Sequence, residues 1–352
     1  MVQRSKLDSA GRELDRLRIA ALEKQATLSD VTRTIPRECF QIDPVRSWGS
    51  LAINVALVGL GYALVAVAPW WLLLPAWIFL GTALTGFFVI AHDCGHRSFS
   101  KSNLVNDLVG HLCLLPLLYP FHGWRLKHNQ HHAFTNQMEM DNAWRPLTVA
   151  EYQGLPATAR AGYRFARGIG WWFASSVHQI NLHFNPAKFK EKDRADARLS
   201  AGVAIAFAAV LFPGLFWLGG PWAIVKFWLA PWLVYHFWMS TFTIVHHTHP
   251  DIPFYWAERW TPVTAQLFST VHCDYPRWVE FLCHDINVHI PHHVSTAIPH
   301  YHLRRAHAAL KEHWSDYMHE TVFGWELMRA IVRDCHLFDE GRYYLPCREA
   351  ER

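Results

Sequence analysis

Imidazole is the reactive side chain this sequence gathers most densely: 24 of its 352 residues are histidine. Most of the close spacings fall in four stretches. These are HDCGH (His92, His96), HNQHH (His128, His131, His132), HHTHP (His246, His247, His249) and HIPHH (His289, His292, His293). Neutral imidazole is a good ligand for Zn, Cu, Fe and Ni. On a helix, residues at i, i+3 and i+4 share a face. His128, His131 and His132 can therefore aim three rings at one region, and His92 and His96 two. His289, His292 and His293 repeat the spacing, with Pro291 making that segment irregular or placing it near a helix start. A zinc site takes about four ligands, so eight or nine imidazoles suit two metal ions. The expected ninth is His246, which comes first off an apolar segment; His247 is the alternative. At this histidine frequency HxxxH arises by chance about once or twice, and HxxHH only about a tenth of a time. The second pattern occurs at both HNQHH and HIPHH. Histidines scattered singly, such as His111 and His178, are expected to be hydrogen-bonded structural residues. His284, Asp93, Asp141 and Asp285 are candidates for orienting a ligand ring.

Such rings need elements that bring them to one plane. The chain is 51% hydrophobic, with 18 Trp and 18% charged residues, below the roughly 25% charge of a typical soluble protein. Four apolar segments, 51–69, 70–91, 201–219 and 222–245, are long enough to span a bilayer, which takes about 20 residues. Pro69 separates the first two and Gly219, Gly220 and Pro221 the second two, giving two hairpins. Trp70, Trp71, Trp217 and Trp222 sit at the turns as interfacial anchors. Leu104 to Tyr119 is apolar but carries Asn106, Asp107, His111 and Pro116, and is expected to be an interfacial or buried helix. Lys and Arg concentrate before the first span and between the hairpins, so both termini and the middle segment are expected on the cytoplasmic side. Every histidine cluster then lies there. The expected fold is an all-α membrane protein, a single domain over 1–352 with four transmembrane helices as two hairpins. Residues 1–27 form a charged N-terminal extension that reads as an amphipathic or solvated helix. Seven cysteines with no CxxC pair give no sign of a zinc ribbon or a disulfide framework. The net charge of +4 fits anionic lipid or an acidic protein partner and is too weak to indicate nucleic acid.

The three boxes, in the order HDCGH, HNQHH, HIPHH, resemble those of the membrane fatty acid desaturases. The flanking stretches LYPFHGWRLKHNQHHAFTN, MDNAWRP, HHTHPDIPFY, VHCDYPRWVE and NVHIPHHVSTAIPHYHLR resemble the acyl-lipid Δ12 (omega-6) members of cyanobacterial and plastid type. The resemblance covers roughly residues 28–337. It implies a non-haem di-iron centre under a cytosolic helical cap. The implied ligands are His92, His96, His128, His131, His132, His289, His292 and His293, with His246 as ninth. The last histidine of HHTHP stands where a variable, often acidic residue is expected, which counts against His249. The implied reaction introduces a cis double bond at Δ12 of oleoyl chains in membrane lipids, with O2 as co-substrate. The implied setting is a multi-pass membrane protein, in plasma or thylakoid membrane if the source is cyanobacterial.

Removing hydrogen from an unactivated methylene is beyond any side-chain base, so a metal cofactor must supply the oxidising power. Two electrons must come from outside. GLGYAL at 59–64 lacks the third glycine of a dinucleotide fingerprint and lies inside a span, and no HPGG stretch marks a fused cytochrome b5. A separate donor is expected, and the resemblance implies ferredoxin. Phe99, Trp124, Phe134, Trp144 and Trp238 are candidates to line an acyl tunnel. A hydroxylase on the same scaffold, or another regioselectivity, would share every box. A carotenoid-modifying oxygenase fits the flanks less well. A membrane metal transporter would place ionisable residues along the spans, where only Lys226 and His236 stand.

Overall fold

The structure, a computed structural model, describes residues 9–351. Helix α1 spans Ser9–Gln25. It packs on the polar head of the molecule with Leu22 fully buried, Arg12 donating to the Pro250 carbonyl at 2.9 Å and its guanidinium 4.0 Å from the Tyr343 ring. The expected apolar face of this helix is not buried throughout, since Leu14 and Leu17 are exposed.

α2 (Pro44–Val67) starts where Asp43 accepts from the N–H groups of Val45 and Arg46, and Pro44 presets the first helical φ. Ile53, Val55, Leu60 and Val67 point outward. α3 (Leu73–Gly95) is the opposite: every residue from Leu80 to Gly95 is buried. It is the central post, packed by α2 and, further along the chain, by α4 (Asn103–Leu114). After α4 the backbone turns by 103°, through Leu118 in the left-handed region, into α5 (Phe121–Ala133). The expected interfacial or buried helix is thus a helix that ends in a corner, and the corner aims HNQHH at the foot of α3.

α6 (Ala157–Arg167) is followed by an irregular run: a turn at Trp171–Phe173, a short helix at Ala174–His178 and a π turn at Gln179–His183. α7 (Arg194–Ile224) and α8 (Ala230–His247) follow. Helical stretches long and apolar enough to cross a membrane are Pro44–Val67, Trp70–Gly95 and Glu191–His247 among the described residues. The last is broken by non-helical backbone at Gly219 and Gly220, where the sequence placed a hairpin turn. α7 packs on α5, and α8 on α3. The second pair therefore does not lie side by side as α2 and α3 do. A methyl group at Gly81 would overlap the Pro231 carbonyl and Val234, so the glycine lets α8 approach α3 closely.

The chain is mostly helical but not purely so, which corrects the all-α expectation. The strands are β1 (Leu147–Thr148), β2 (Val271–Asp274), β3 (His319–Val322), β4 (Leu337–Asp339) and β5 (Tyr343–Leu345). β4 pairs parallel with β1 and antiparallel with β5, and β2 pairs parallel with β3. Between β2 and β3 lie α9 (His289–Val294) and α10 (Leu303–Trp314). Pro291 sits in the first turn of α9, where its missing N–H is no loss.

Candidate metal centre

Helical phase delivers the first rings. His92 lies in the last turn of α3 and His96 caps it, so their ring centroids are 4.6 Å apart. His128 and His132 stand one turn apart on α5, with Nε2 atoms separated by 3.1 Å. His132 Nε2 is also 2.9 Å from His292 Nε2 on α9. One ring nitrogen from each of His92, His96, His128, His132 and His292 lies within 4.8 Å of the others. His131, His247 and His293 form a second nest by the same measure. His247 Nε2 lies 3.2 Å from His131 Nε2 and 2.9 Å from His289 Nε2, which is 3.0 Å from His293 Nε2. Each HxxHH motif is thus divided: two rings of HNQHH and one of HIPHH serve the first nest, and the remainder the second.

Hydrogen bonds behind the second nest decide its tautomers. His131 Nδ1 meets Asp141 Oδ1 at 2.7 Å, and Asp141 is itself fixed by the backbone N–H groups of Asn136 and Ala143. His293 Nδ1 faces Gln266 Oε1 at 2.9 Å, whose amide nitrogen donates to the His132 carbonyl. Thr135 Oγ1, which donates to the His131 carbonyl, is 3.2 Å from the same His293 nitrogen. His289 Nδ1 donates to the Ile286 carbonyl at 3.3 Å. Each of these Nδ1 atoms meets an acceptor and must carry the proton, leaving a lone pair on Nε2. Two such lone pairs, on His289 and His293, then face each other at 3.0 Å. A cation between them turns this repulsion into coordination. The donor set therefore fits metal ions: all imidazole, converging through Nε2.

Burial and mutual repulsion keep the α9 rings neutral. His289, His292 and His293 are all held well below the ordinary imidazole value, first by burial and then by neighbouring rings. A neutral ring is the form that ligates.

Comparison with known proteins bears on the same residues. Residues 68–325 match the fatty acid desaturase family model. The chain is 56% identical over 326 residues to the sn-1 oleoyl-lipid 12-desaturase of Picosynechococcus sp., covering 92% of this chain and 94% of that protein. It is 53% identical over 324 residues to the protein of that name from Anabaena variabilis, covering 92% of this chain and 93% of that one. It is 48% identical over 325 residues to the chloroplastic omega-6 fatty acid desaturase of Brassica napus, covering 92% and 73%. The chain belongs to the fatty acid desaturase family.

In this desaturase the ring grouped with His131 and His293 is that of His247. His247, not His246, reaches the second nest. Met239, Thr243 and His247 lie at i, i+4 and i+8 on α8 and face a cavity beside the nest. His246 packs its ring against His289, 4.3 Å between centroids, with Phe242 and Tyr275 further off, and its ring nitrogens find no hydrogen-bond partner. Of the orienting candidates, Asp141 is in place. Asp93 lies 3.7 Å from His92 Nδ1 but bonds His300 Nδ1 at 2.8 Å. Asp285 pairs with Arg304, and His284 bonds Asn54 Oδ1 at 2.6 Å, so neither reaches the nests. Sequence reading missed Gln266, whose position inside TAQLF carries no sign of its role.

The cavity, about 450 Å³, starts at His128, His131, His247 and His289 and runs between α5, α8 and the 163–183 segment. Trp124 and Trp144 line it, as expected of a tunnel. Phe99 packs against Trp48, Phe134 against Trp260, and Trp238 is buried with its N–H on Thr82. His178 and His183, read as ordinary structural residues, also line the cavity.

Proposed function

We propose that this protein is an acyl-lipid desaturase that introduces a cis double bond at Δ12 of oleoyl chains in membrane glycerolipids. The observation that carries the reading is an apolar-walled cavity ending at two nests of converging imidazoles, in a chain more than half identical to an oleoyl-lipid 12-desaturase. His92, His96, His128, His132 and His292 would hold one iron ion, and His131, His247, His289 and His293 the other. Such a pair supplies, with O2, the oxidising power to take two hydrogens from adjacent methylenes.

The chain's own residues do the positioning. Asp141, Gln266 and Thr135 fix the His131 and His293 tautomers so that Nε2 lone pairs point inward. Trp144, anchored by its N–H to Thr243 Oγ1 at 2.7 Å, forms part of the wall that holds the chain beside the nests. Four spans, as α2, α3, α7 and α8, with the nests at the cytoplasmic face, are part of the reading. Their support is the break at Gly219–Gly220 and the lysines and arginines flanking the apolar helices. Two electrons come from a separate donor of the ferredoxin type, and the net charge of +4 suits an acidic partner.

The test is expression in a host rich in oleate and lacking linoleate, with gas chromatography of its lipids and Mössbauer spectroscopy of the purified protein. The reading requires 18:2 with bonds at Δ9 and Δ12 and a non-haem iron pair. A hydroxylated product, or one zinc ion, would overturn it.

A further inference from the structure

The outer wall of the cavity is thin. Tyr163, Ala166, Arg167, Ala174, Ser175, His178 and His183 face inward, while Phe165, Ile169, Trp172, Val177 and Ile180 face outward and are exposed. The outward residues of α6 and the run after it therefore form an apolar strip on the reverse side of the cavity lining. α7 also exposes apolar residues, among them Ile205, Val210 and Phe216. Exposed Lys188 and Lys190 flank the strip, as suits a surface resting among anionic headgroups.

The wall is fastened at its start by Tyr163 and Arg167, which donate to the His336 and Cys335 carbonyls, and further on mainly at Ser175. Ser175 Oγ lies 2.8 Å from His236 Nδ1 and 2.8 Å from Ser240 Oγ on α8, and Gln179 Nε2 donates to the Leu118 carbonyl at 2.9 Å. Between Trp171 and His183 the backbone passes from a 3-10 turn to α helix to π turn, a helical run of changing pitch. We propose that the acyl chain enters sideways from the bilayer through this wall, and that the Ser175–His236–Ser240 contact is the latch that parts to admit it. This rests on the acyl-lipid reading, and its occupant is a bilayer-resident glycerolipid. The lipid's phosphate stays outside near Lys188 and Lys190 while the acyl chain passes in toward His247.

Two measurements on the full-length protein in phosphatidylcholine–phosphatidylglycerol vesicles test this. All seven native cysteines are buried and unpaired, so Ile169→Cys offers one accessible thiol for an environment-sensitive fluorophore. Quenching by doxyl-labelled lipid in preference to a water-soluble nitroxide is expected, and the reverse order overturns the placement. In the Ser175→Cys/Ser240→Cys double variant, oxidation pins the wall to α8. Turnover of vesicle lipid is then expected to fall about tenfold or more and to return on reduction, as for a gated site, with each single variant insensitive to oxidant. A disulfide verified by mass spectrometry that leaves turnover intact overturns the latch. If the native protein forms no linoleoyl lipid while the Ile169 label is quenched from within the bilayer, the Δ12 reading falls and the lateral placement stands.

Discussion

The two nests are built from the same side chain by different means. In the first, most rings come in pairs at i, i+4, His92 with His96 and His128 with His132, and His292 joins them from α9. In the second, only His289 and His293 form such a pair, and His131 and His247 come singly from α5 and α8. A carboxylate, an amide, a hydroxyl and a backbone carbonyl set three of these rings from behind. The second nest also contributes three rings to the cavity and the first only His128. Beside the cavity, orientation is enforced by a second layer of bonds. Away from it, close packing of rings suffices.

The sharpest way to break this contrast is to remove a ligand from each nest. His132→Ala and His247→Ala should each abolish desaturation and lower the iron content, measured by lipid chromatography and metal analysis. His246→Phe should keep both iron ions, because His246 packs its ring on the His289 ring, 4.3 Å between centroids, while His247 is the residue whose nitrogen is grouped with those of His131 and His293. Iron retained in His247→Ala and lost in His246→Phe would reverse the assignment.

The next effect belongs to the second layer. Asp141→Asn removes the charge that holds the His131 Nδ1 proton and lets the ring adopt the other tautomer. Activity or iron affinity should fall about 10–100-fold, the usual range for such partners, with the folded state retained by circular dichroism. Asp93→Asn should leave iron binding nearly intact, because the Asp93 carboxylate is committed to His300.

The difference between the nests also explains what could be read in advance. HDCGH and HNQHH announce themselves because a helix converts spacing into direction, and the apolar segments announce α2, α3, α7 and α8. Nothing in the spacing shows that His131 parts company with His128 and His132. That division depends on Asp141, ten residues on, and on α9 arriving from the far end of the chain. His246 was favoured over His247 by order along the chain, whereas helix phase decides: Met239 and Thr243 already mark the inward face of α8. Gln266 and the two small sheets depend on contacts between distant segments, which a local pattern does not encode.

Acid should separate the bound and metal-free forms. His289, His292 and His293 are depressed below the ordinary value of 6.5 in the fold. The unfolded chain takes up their protons first, so stability is full above about pH 6.5 and declines as pH falls through that value toward the folded pKa values. Chelator-treated protein should melt at progressively lower temperature below about pH 6.5. Iron-loaded protein should resist until protons displace the metal. Parallel melting curves for the two forms between pH 5 and pH 7 (about the window set by imidazole) would remove the nests as the source of the effect.

The smallest expected effect lies just outside the nests, at His284. This residue sits five positions before His289 and has a positive φ of 50°. Its Nε2 bonds Asn54 Oδ1, and Asn54 Nδ2 donates to the Ala83 carbonyl, so the ring ties the head to α2 and α3. His284→Asn tolerates the left-handed backbone but is too short to reach. One buried hydrogen bond is lost and the Asn54 oxygen is left unpaired, a loss of about 1–3 kcal/mol. Melting temperature should drop by a few degrees while iron content and product position stay unchanged. Loss of iron in this variant would mean that the packing of head against α3, and not the ligand geometry alone, holds the first nest closed.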